Sequence, residues 1–172
     1  MRINTKLFFL SLNHSSLLRV FLILLAFFSM NGCQRDDSRF FLIDGTEKQL
    51  ADYRGQWLLV NFWAEWCRPC IEEVPELNAI YAEQVERGWS LIAASYDAVS
   101  TERLRAAKQR FDIKYPMMAA DPQPLVPFKR PAKLPAMVII SPEGEVFGPI
   151  YGKQTKQTVA EAIQLITAQA AK

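Results

Sequence analysis

Apolar residues fall into short blocks separated by polar, proline- and glycine-bearing stretches, and the blocks differ in period. Trp57–Trp63 is almost continuously apolar, the pattern of a strand buried on both faces. Trp89–Ser95 repeats that pattern, and Met137–Ile140 makes a third such strand. Elsewhere the spacing is helical. Ile71, Val74, Leu77, Ile80 and Tyr81 predict a helix from about Cys67 to Arg87, with Pro75 as an internal kink. Leu104, Ala107 and Phe111 predict a helix over Thr101–Phe111, and Val159, Ile163 and Ile166 one over Thr158–Ala171. Phe40–Ile43 reads as a strand running into a turn at Asp44-Gly45, Lys48–Gly55 runs to a further turn, and Pro142–Glu145 turns into Val146-Phe147. Strands alternating with helices predict an α/β domain on a central mixed sheet. Between Tyr115 and Pro135 six prolines (Pro116, Pro122, Pro124, Pro127, Pro131 and Pro135) predict a long loop, and loops of that length are often functional.

The N-terminus follows another logic. Residues Met1–Arg19 carry Arg2, Lys6 and Arg19 and no acid, and Val20–Phe28 is a short unbroken apolar run before Ser29–Cys33. A basic region, a short apolar region and small residues before a cut describe a secretory signal. The run is shorter than the roughly 20 residues of a membrane span. Met30-Asn31-Gly32-Cys33 resembles the bacterial lipobox, in which cleavage precedes a cysteine that receives lipid. The division expected is therefore a signal peptide over 1–32, lipidated Cys33 and a polar tether over 33–39, and a domain over 40–172. Gln34 after the cysteine slightly favours the outer membrane over the inner.

Composition narrows the chemistry. With 172 residues, half of them hydrophobic, the chain suffices for one domain with a core. Its net charge of +2 comes from the leader: removing three of the 20 basic residues leaves 17 against 18 acidic, a net of −1. Nothing in that balance points to nucleic acid. The one histidine, His14, also lies in the leader. The mature chain then has no imidazole, which excludes Ser-His-Asp and Cys-His nucleophilic sites, His-ligated zinc and His-ligated haem.

Two thiols remain in the domain. Asn61-Phe-Trp-Ala-Glu-Trp-Cys67-Arg-Pro-Cys70 places a Cys-x-x-Cys between a buried strand and a helix. At a helix N-terminus, unpaired N–H groups and the helix dipole stabilise the Cys67 thiolate, and Arg68 adds a positive charge. Cys70, one turn on, is more enclosed and close enough to form a disulfide. Cys67 thus attacks a disulfide and Cys70 resolves the mixed disulfide, or the reverse sequence oxidises a dithiol. Trp63 reads as core packing and Trp66 as an exposed rim that meets partners. A static disulfide, or copper(I) held by both thiols with Met117 or Met118, are the other readings; two thiolates alone cannot close a tetrahedral zinc site.

Trp-Ala-Glu-Trp-Cys-Arg-Pro-Cys resembles the thioredoxin active site. Asp52–Gly55, Val60–Trp63 and Cys70-Ile-Glu-Glu-Val-Pro-Glu-Leu77 resemble the TlpA/ResA/CcmG-type periplasmic branch, over about Phe40–Ile166. The resemblance implies a thioredoxin-like fold with an N-terminal β extension and an insertion before a cis-proline. It implies a redox-active Cys67–Cys70 pair with no other cofactor, Asn61 where ordinary thioredoxin has a buried Asp, and Glu73 as proton acceptor for Cys70. Pro135 becomes the cis-proline facing the motif, with Leu134 pairing to substrate; Trp66, Arg68 and Pro69 complete the substrate-binding rim. Glu72 and Glu76 are read only as charges of the first helical turn.

Peroxiredoxin chemistry is discounted because Ala64 stands where a threonine is needed, and Sco-type copper chaperones because their Cys-x-x-x-Cys and His are absent. The function expected is a membrane-tethered periplasmic disulfide reductase. Its electrons would come from a membrane relay of the DsbD/CcdA type, and its clients would be protein disulfides, including apocytochrome c or its maturation factors. A copper(I)-binding chaperone and a thiol oxidase are the alternatives.

Overall fold

The computed structural model describes residues 37–170; Cys33 and the segment expected to be a signal peptide lie outside them. Among the described residues no helix is long and apolar enough to cross a membrane. A two-stranded hairpin, β1 (Phe40–Phe41) and β2 (Glu47–Lys48), precedes a 3-10 turn at Leu50–Tyr53. Then follow β3 (Trp57–Trp63), α1 (Arg68–Ala82), α2 (Gln84–Arg87), β4 (Trp89–Ser95), α3 (Thr101–Arg110), β5 (Ala136–Ile140), β6 (Val146–Tyr151) and α4 (Lys156–Ala170). The main sheet has the order β4-β3-β5-β6. β3 is parallel to β4 and antiparallel to β5, and β5 is antiparallel to β6. The architecture is a mixed α/β sheet, as the alternation of patterns predicts.

The apolar strands are explained by their two covered faces. Leu59 and Trp63 of β3, Leu91 and Ala93 of β4, and Met137 and Ile139 of β5 meet Val74, Leu77 and Ile80 of α1, Leu104 and Ala107 of α3, and Val159 of α4. The alternate residues Leu58, Val60, Phe62, Ile92, Ala94 and Val138 face the other way. That second cluster is closed by Phe40, Leu42 and Leu50 of the N-terminal extension and by Met118, Val126 and Phe128 of the proline-rich segment. The long loop is thus a cover for the sheet. Its pairing with the rest of the domain is confined to isolated bridges at Met117, Met118 and Leu125. Prolines at close intervals, lacking N–H groups, cannot sustain a longer ladder.

Several boundaries differ from the sequence expectation. Ser38 and Arg39, assigned to the tether by their polarity, belong to the domain. The Ser38 hydroxyl accepts the Leu50 N–H at 2.8 Å, and Arg39 exchanges two backbone hydrogen bonds of 2.8 Å with Leu125. The helix expected to run unbroken to Arg87 ends at Ala82. Glu83 resets the chain there, its carboxylate held by Arg87 and by Lys156 of α4, and Gly88 at φ 64° closes the short α2. β1 retains only two of the four residues predicted for it, and β6 continues past Phe147 to Tyr151.

Leu59, fully buried in the central strand, lies at the middle of the helix-covered face. Leu59→Ala is expected to destabilise the domain by about 2–5 kcal/mol, as deletion of a large core side chain does, measured as a lower urea midpoint at unchanged slope.

Candidate active site

Strand directions bring four chain segments to one end of the sheet. β3 and β4 run parallel and finish there, at Trp63 and Ser95. Because β5 is antiparallel to β3, it begins there, with Ala136 opposite Phe62. β6 returns to the same end, with Tyr151 opposite Ala136. The segments Ala64–Cys67, Tyr96–Asp97, Leu134-Pro135 and Gly152–Gln154 therefore emerge together.

The Cys-x-x-Cys stands on the first of these. Cys67 is the N-cap of α1, with Pro69 near the start of the helix, where a missing N–H costs nothing. The Cys70 and Ile71 N–H groups both donate to the Cys67 carbonyl, at 3.0 and 3.2 Å. The two sulfurs form a disulfide with Cα atoms 5.3 Å apart. In this oxidised form Cys67 is 4% exposed and Cys70 1%. Glu65, just before the motif, is clamped by Arg103 at 2.6 Å and Arg110 at 3.0 Å, which fixes the loop to α3. Those guanidiniums, Arg103 first, hold the Glu65 carboxyl below its ordinary value.

Glu73 follows Cys70 by one helical turn, so the two side chains share a face of α1. Its carboxylate is 2% exposed, and burial pushes its pKa up to about 7. Opposing that rise, the Gln154 N–H donates to Oε2 at 2.9 Å and the Asn61 amide to Oε1 at 2.8 Å. The Tyr115 hydroxyl reaches Asn61 Oδ1 at 3.4 Å from the other side. Desolvation prevails because two neutral donors replace only part of a carboxylate's hydration. Asn61, the one polar side chain in an otherwise apolar β3, is the sequence signal for this network. Gln154 and Tyr115 have none, being brought to the site by tertiary structure alone.

The other predicted residues separate by environment. Glu72 is not in the first turn as expected: it lies one turn further along, between Arg68 at 3.1 Å and Lys153 at 3.2 Å, so the Arg68 charge is shared with it. Pro69 is exposed beside Arg68. Trp66 is 65% exposed yet anchored: its indole N–H donates to Asp97 at 2.8 Å and its ring meets Tyr96 edge-on at 6.0 Å. The Asp97 contact, 31 residues away along the chain, has no local sequence signal. Trp63 is buried against Phe111, as core packing requires. The Leu134–Pro135 peptide is cis, and the Pro135 carbonyl accepts the Gly152 N–H at 3.0 Å. Leu134 is half-buried and touches the clusters on both sheet faces. Met117 shares the helix-side cluster with Cys67 and Cys70, whereas Met118 belongs to the opposite one.

A carboxyl whose folded pKa lies above its unfolded one favours the fold while protonated. Its contribution is full below the unfolded value of about 4.5 and is lost as pH rises through about 7. Relative to Glu73→Gln, the oxidised wild-type domain is expected to lose about 3 kcal/mol of stability between pH 4.5 and pH 8, read from urea midpoints at each pH. Parallel curves for the two proteins would place the Glu73 titration elsewhere.

Comparison with known proteins bears on the family and the fold. The model of the AhpC/TSA family matches residues 34–147. The thiol-disulfide oxidoreductase ResA of Bacillus thuringiensis subsp. konkukian is 30% identical over 125 residues, covering 73% of this chain and 72% of its own. Among solved structures, a thioredoxin-family thiol:disulfide interchange protein of Chlorobium tepidum superposes with a TM-score of 0.59 at 22% identity, over 74% of this chain and 92% of its own. StoA of Bacillus subtilis does so with a TM-score of 0.58 at 17% identity, over 72% and 92%. At those identities the two structures speak for the fold, which is thioredoxin-like. The chain belongs to the AhpC/TSA family, and its paired cysteines and ResA relatives make it a thiol-disulfide oxidoreductase.

Proposed function

We propose that the protein is a disulfide reductase facing the periplasm, tethered to a membrane through lipid on Cys33, in which Cys67 attacks and Cys70 resolves. The observation that carries the assignment of roles is Glu73, buried one turn beyond Cys70 with its pKa raised to about 7. A carboxylate of that pKa is matched to taking a proton from a thiol near neutral pH.

In the reduced protein the Cys67 thiolate attacks one sulfur of a client disulfide; the client S–S bond breaks and the departing client thiolate takes a proton from solvent. Cys70 gives its proton to Glu73 and attacks Cys67, which forms the Cys67–Cys70 disulfide and releases the second client thiolate. The client gains two electrons and the protein loses two. A membrane dithiol relay of the DsbD/CcdA type restores them, since the compartment itself is oxidising. Pro135 and Leu134, emerging at the same sheet end as the motif, offer the backbone edge against which a client strand aligns. Trp66, Arg68 and Pro69 form the exposed rim beside it. Clients with wrongly formed disulfides, apocytochrome c and its maturation factors among them, suit this chemistry.

Acid quenching and thiol alkylation of intact cells are expected to find Cys67 and Cys70 mostly reduced; a mostly oxidised pair sinks the reductase direction. Cys67→Ser is expected to drop turnover of a protein disulfide to the uncatalysed background, and Cys70→Ser to accumulate mixed disulfides. Glu73→Gln should slow exchange by roughly 10²-fold at pH 7 and remove the ionisation near 7 from the rate profile.

A further inference from the structure

The stretch Lys129-Arg130-Pro131-Ala132-Lys133 leads directly into the cis peptide of Pro135. It crosses the functional end of the sheet from one edge to the other. At the β4 edge the Arg130 guanidinium lies 4.7 Å over the Tyr96 ring and donates to the Tyr96 carbonyl at 3.0 Å. At the β6 edge the Lys133 ammonium lies 4.9 Å over the Tyr151 ring, and the Ala132 N–H reaches the Tyr151 hydroxyl at 3.4 Å. The cations are therefore held in place by aromatic rings and backbone. Among the described residues none of Lys129, Arg130 and Lys133 has a carboxylate within salt-bridge distance, and all three side chains are exposed.

The acids beside the motif are already engaged. Glu65 is bound by Arg103 and Arg110 and Glu72 by Arg68 and Lys153, whereas Asp97 accepts from the neutral Trp66 indole and keeps its charge. The three exposed cations Lys129, Arg130 and Lys133 thus outnumber the one acid of the cleft, Asp97. Lys129 and Arg130 also edge a cleft of about 570 Å³ whose apolar wall includes Phe62, Val126 and Phe128. Tyr96 and Asp97 line the same cleft and contact Trp66, so it adjoins the residue preceding Cys67.

We propose that this basic rim and its cleft dock an acidic segment of the client protein, with carboxylates of the client on Lys129, Arg130 and Lys133 and an apolar side chain in the cleft. Charge complementarity chooses the occupant: unpaired, pre-positioned cations attract carboxylates and repel basic segments. The site deepens the reading that Cys67 exchanges with protein disulfides and rests on it for its purpose, though docking itself needs no exchange.

The test separates the two. Fluorescence anisotropy with the oxidised full-length protein measures binding of labelled cysteine-free peptides, one with Asp and Glu around a central Phe-Leu, the other with Lys in those places. The acidic peptide is expected to bind about fivefold to tenfold more tightly at low salt, the size a few exposed charge pairs supply, and to lose that margin in about 0.5 M salt. Lys129→Glu combined with Lys133→Glu is expected to reverse the preference toward the lysine peptide, an outcome misfolding does not produce. The neutral pair Lys129→Gln and Lys133→Gln is expected to reduce the preference to about twofold or less, the share that Arg130 retains. Equal affinity for the two peptides in the wild type, or an acidic preference that survives both double variants, overturns the proposal. Reduction of hydroxyethyl disulfide, a small uncharged substrate, is followed separately in the wild type. Its failure would count against exchange chemistry and leave the docking result standing.

Discussion

The apolar character of β3 on both faces governs where the thiols lie. A strand buried on each side occupies the middle of a sheet, and here β3 pairs with β4 on one side and β5 on the other. Its last residue, Trp63, is locked into the core beneath the helices, so the chain leaves the sheet at a fixed point and direction. The next residues carry the motif into α1, whose own Val74, Leu77 and Ile80 are drawn down onto the same face. Burial of the strand and of the helix stripe therefore sets the position of Cys67 at the N-terminus of α1, at the positive end of the helix dipole, with the Cys70 and Ile71 N–H groups donating to its carbonyl.

Into this apolar setting the protein places a small hydrogen-bonded polar network around Glu73, while the buried Trp63 indole N–H has no partner among the described residues. Asn61 replaces an apolar residue in β3 and finds Glu73 and Tyr115; Glu73 finds Asn61 and the Gln154 backbone. Two neutral donors keep the carboxylate in place without a full counter-charge, so desolvation leaves its pKa near neutrality. A cation in direct contact would have pulled that value down, as Arg103 and Arg110 do for Glu65. Two glutamates eight residues apart thus have opposite environments: cations hold the carboxyl of Glu65 below its ordinary value as it anchors a loop, and burial raises that of Glu73 to about 7.

The proline-rich segment does two jobs. Its middle covers the sheet face opposite the helices through Met118, Val126 and Phe128. Its end lays Lys129–Lys133 across the strand termini and brings Pro135 to the end of the sheet from which the motif emerges. Prolines are suited to both, since they keep the chain extended and remove donors that a cover lying on a sheet face could not satisfy.

Most of the secondary structure is readable along the chain because it depends on local period: β3 and β4 occupy the apolar blocks Trp57–Trp63 and Trp89–Ser95, and α1, α3 and α4 follow their stripes. The Cys-x-x-Cys spacing likewise points to thiol chemistry before any fold is known, and the one histidine, His14, in the segment read as a leader, leaves no imidazole to the domain. Boundaries read less well where distant partners set them, as at Glu83, held by Lys156, and at Ser38 and Arg39, held by Leu50 and Leu125. The working details of the site belong to the same class. Glu73 is one of three similar glutamates in its helix, and it differs because Gln154, 81 residues later, and Asn61 meet it in the core. Trp66 is held by Asp97, 31 residues on, and the cations before Pro135 face outward because Tyr96 and Tyr151 lie beneath two of them. Local pattern carries the period of a helix or strand, whereas desolvation and charge pairing depend on which remote residues the folded sheet brings together.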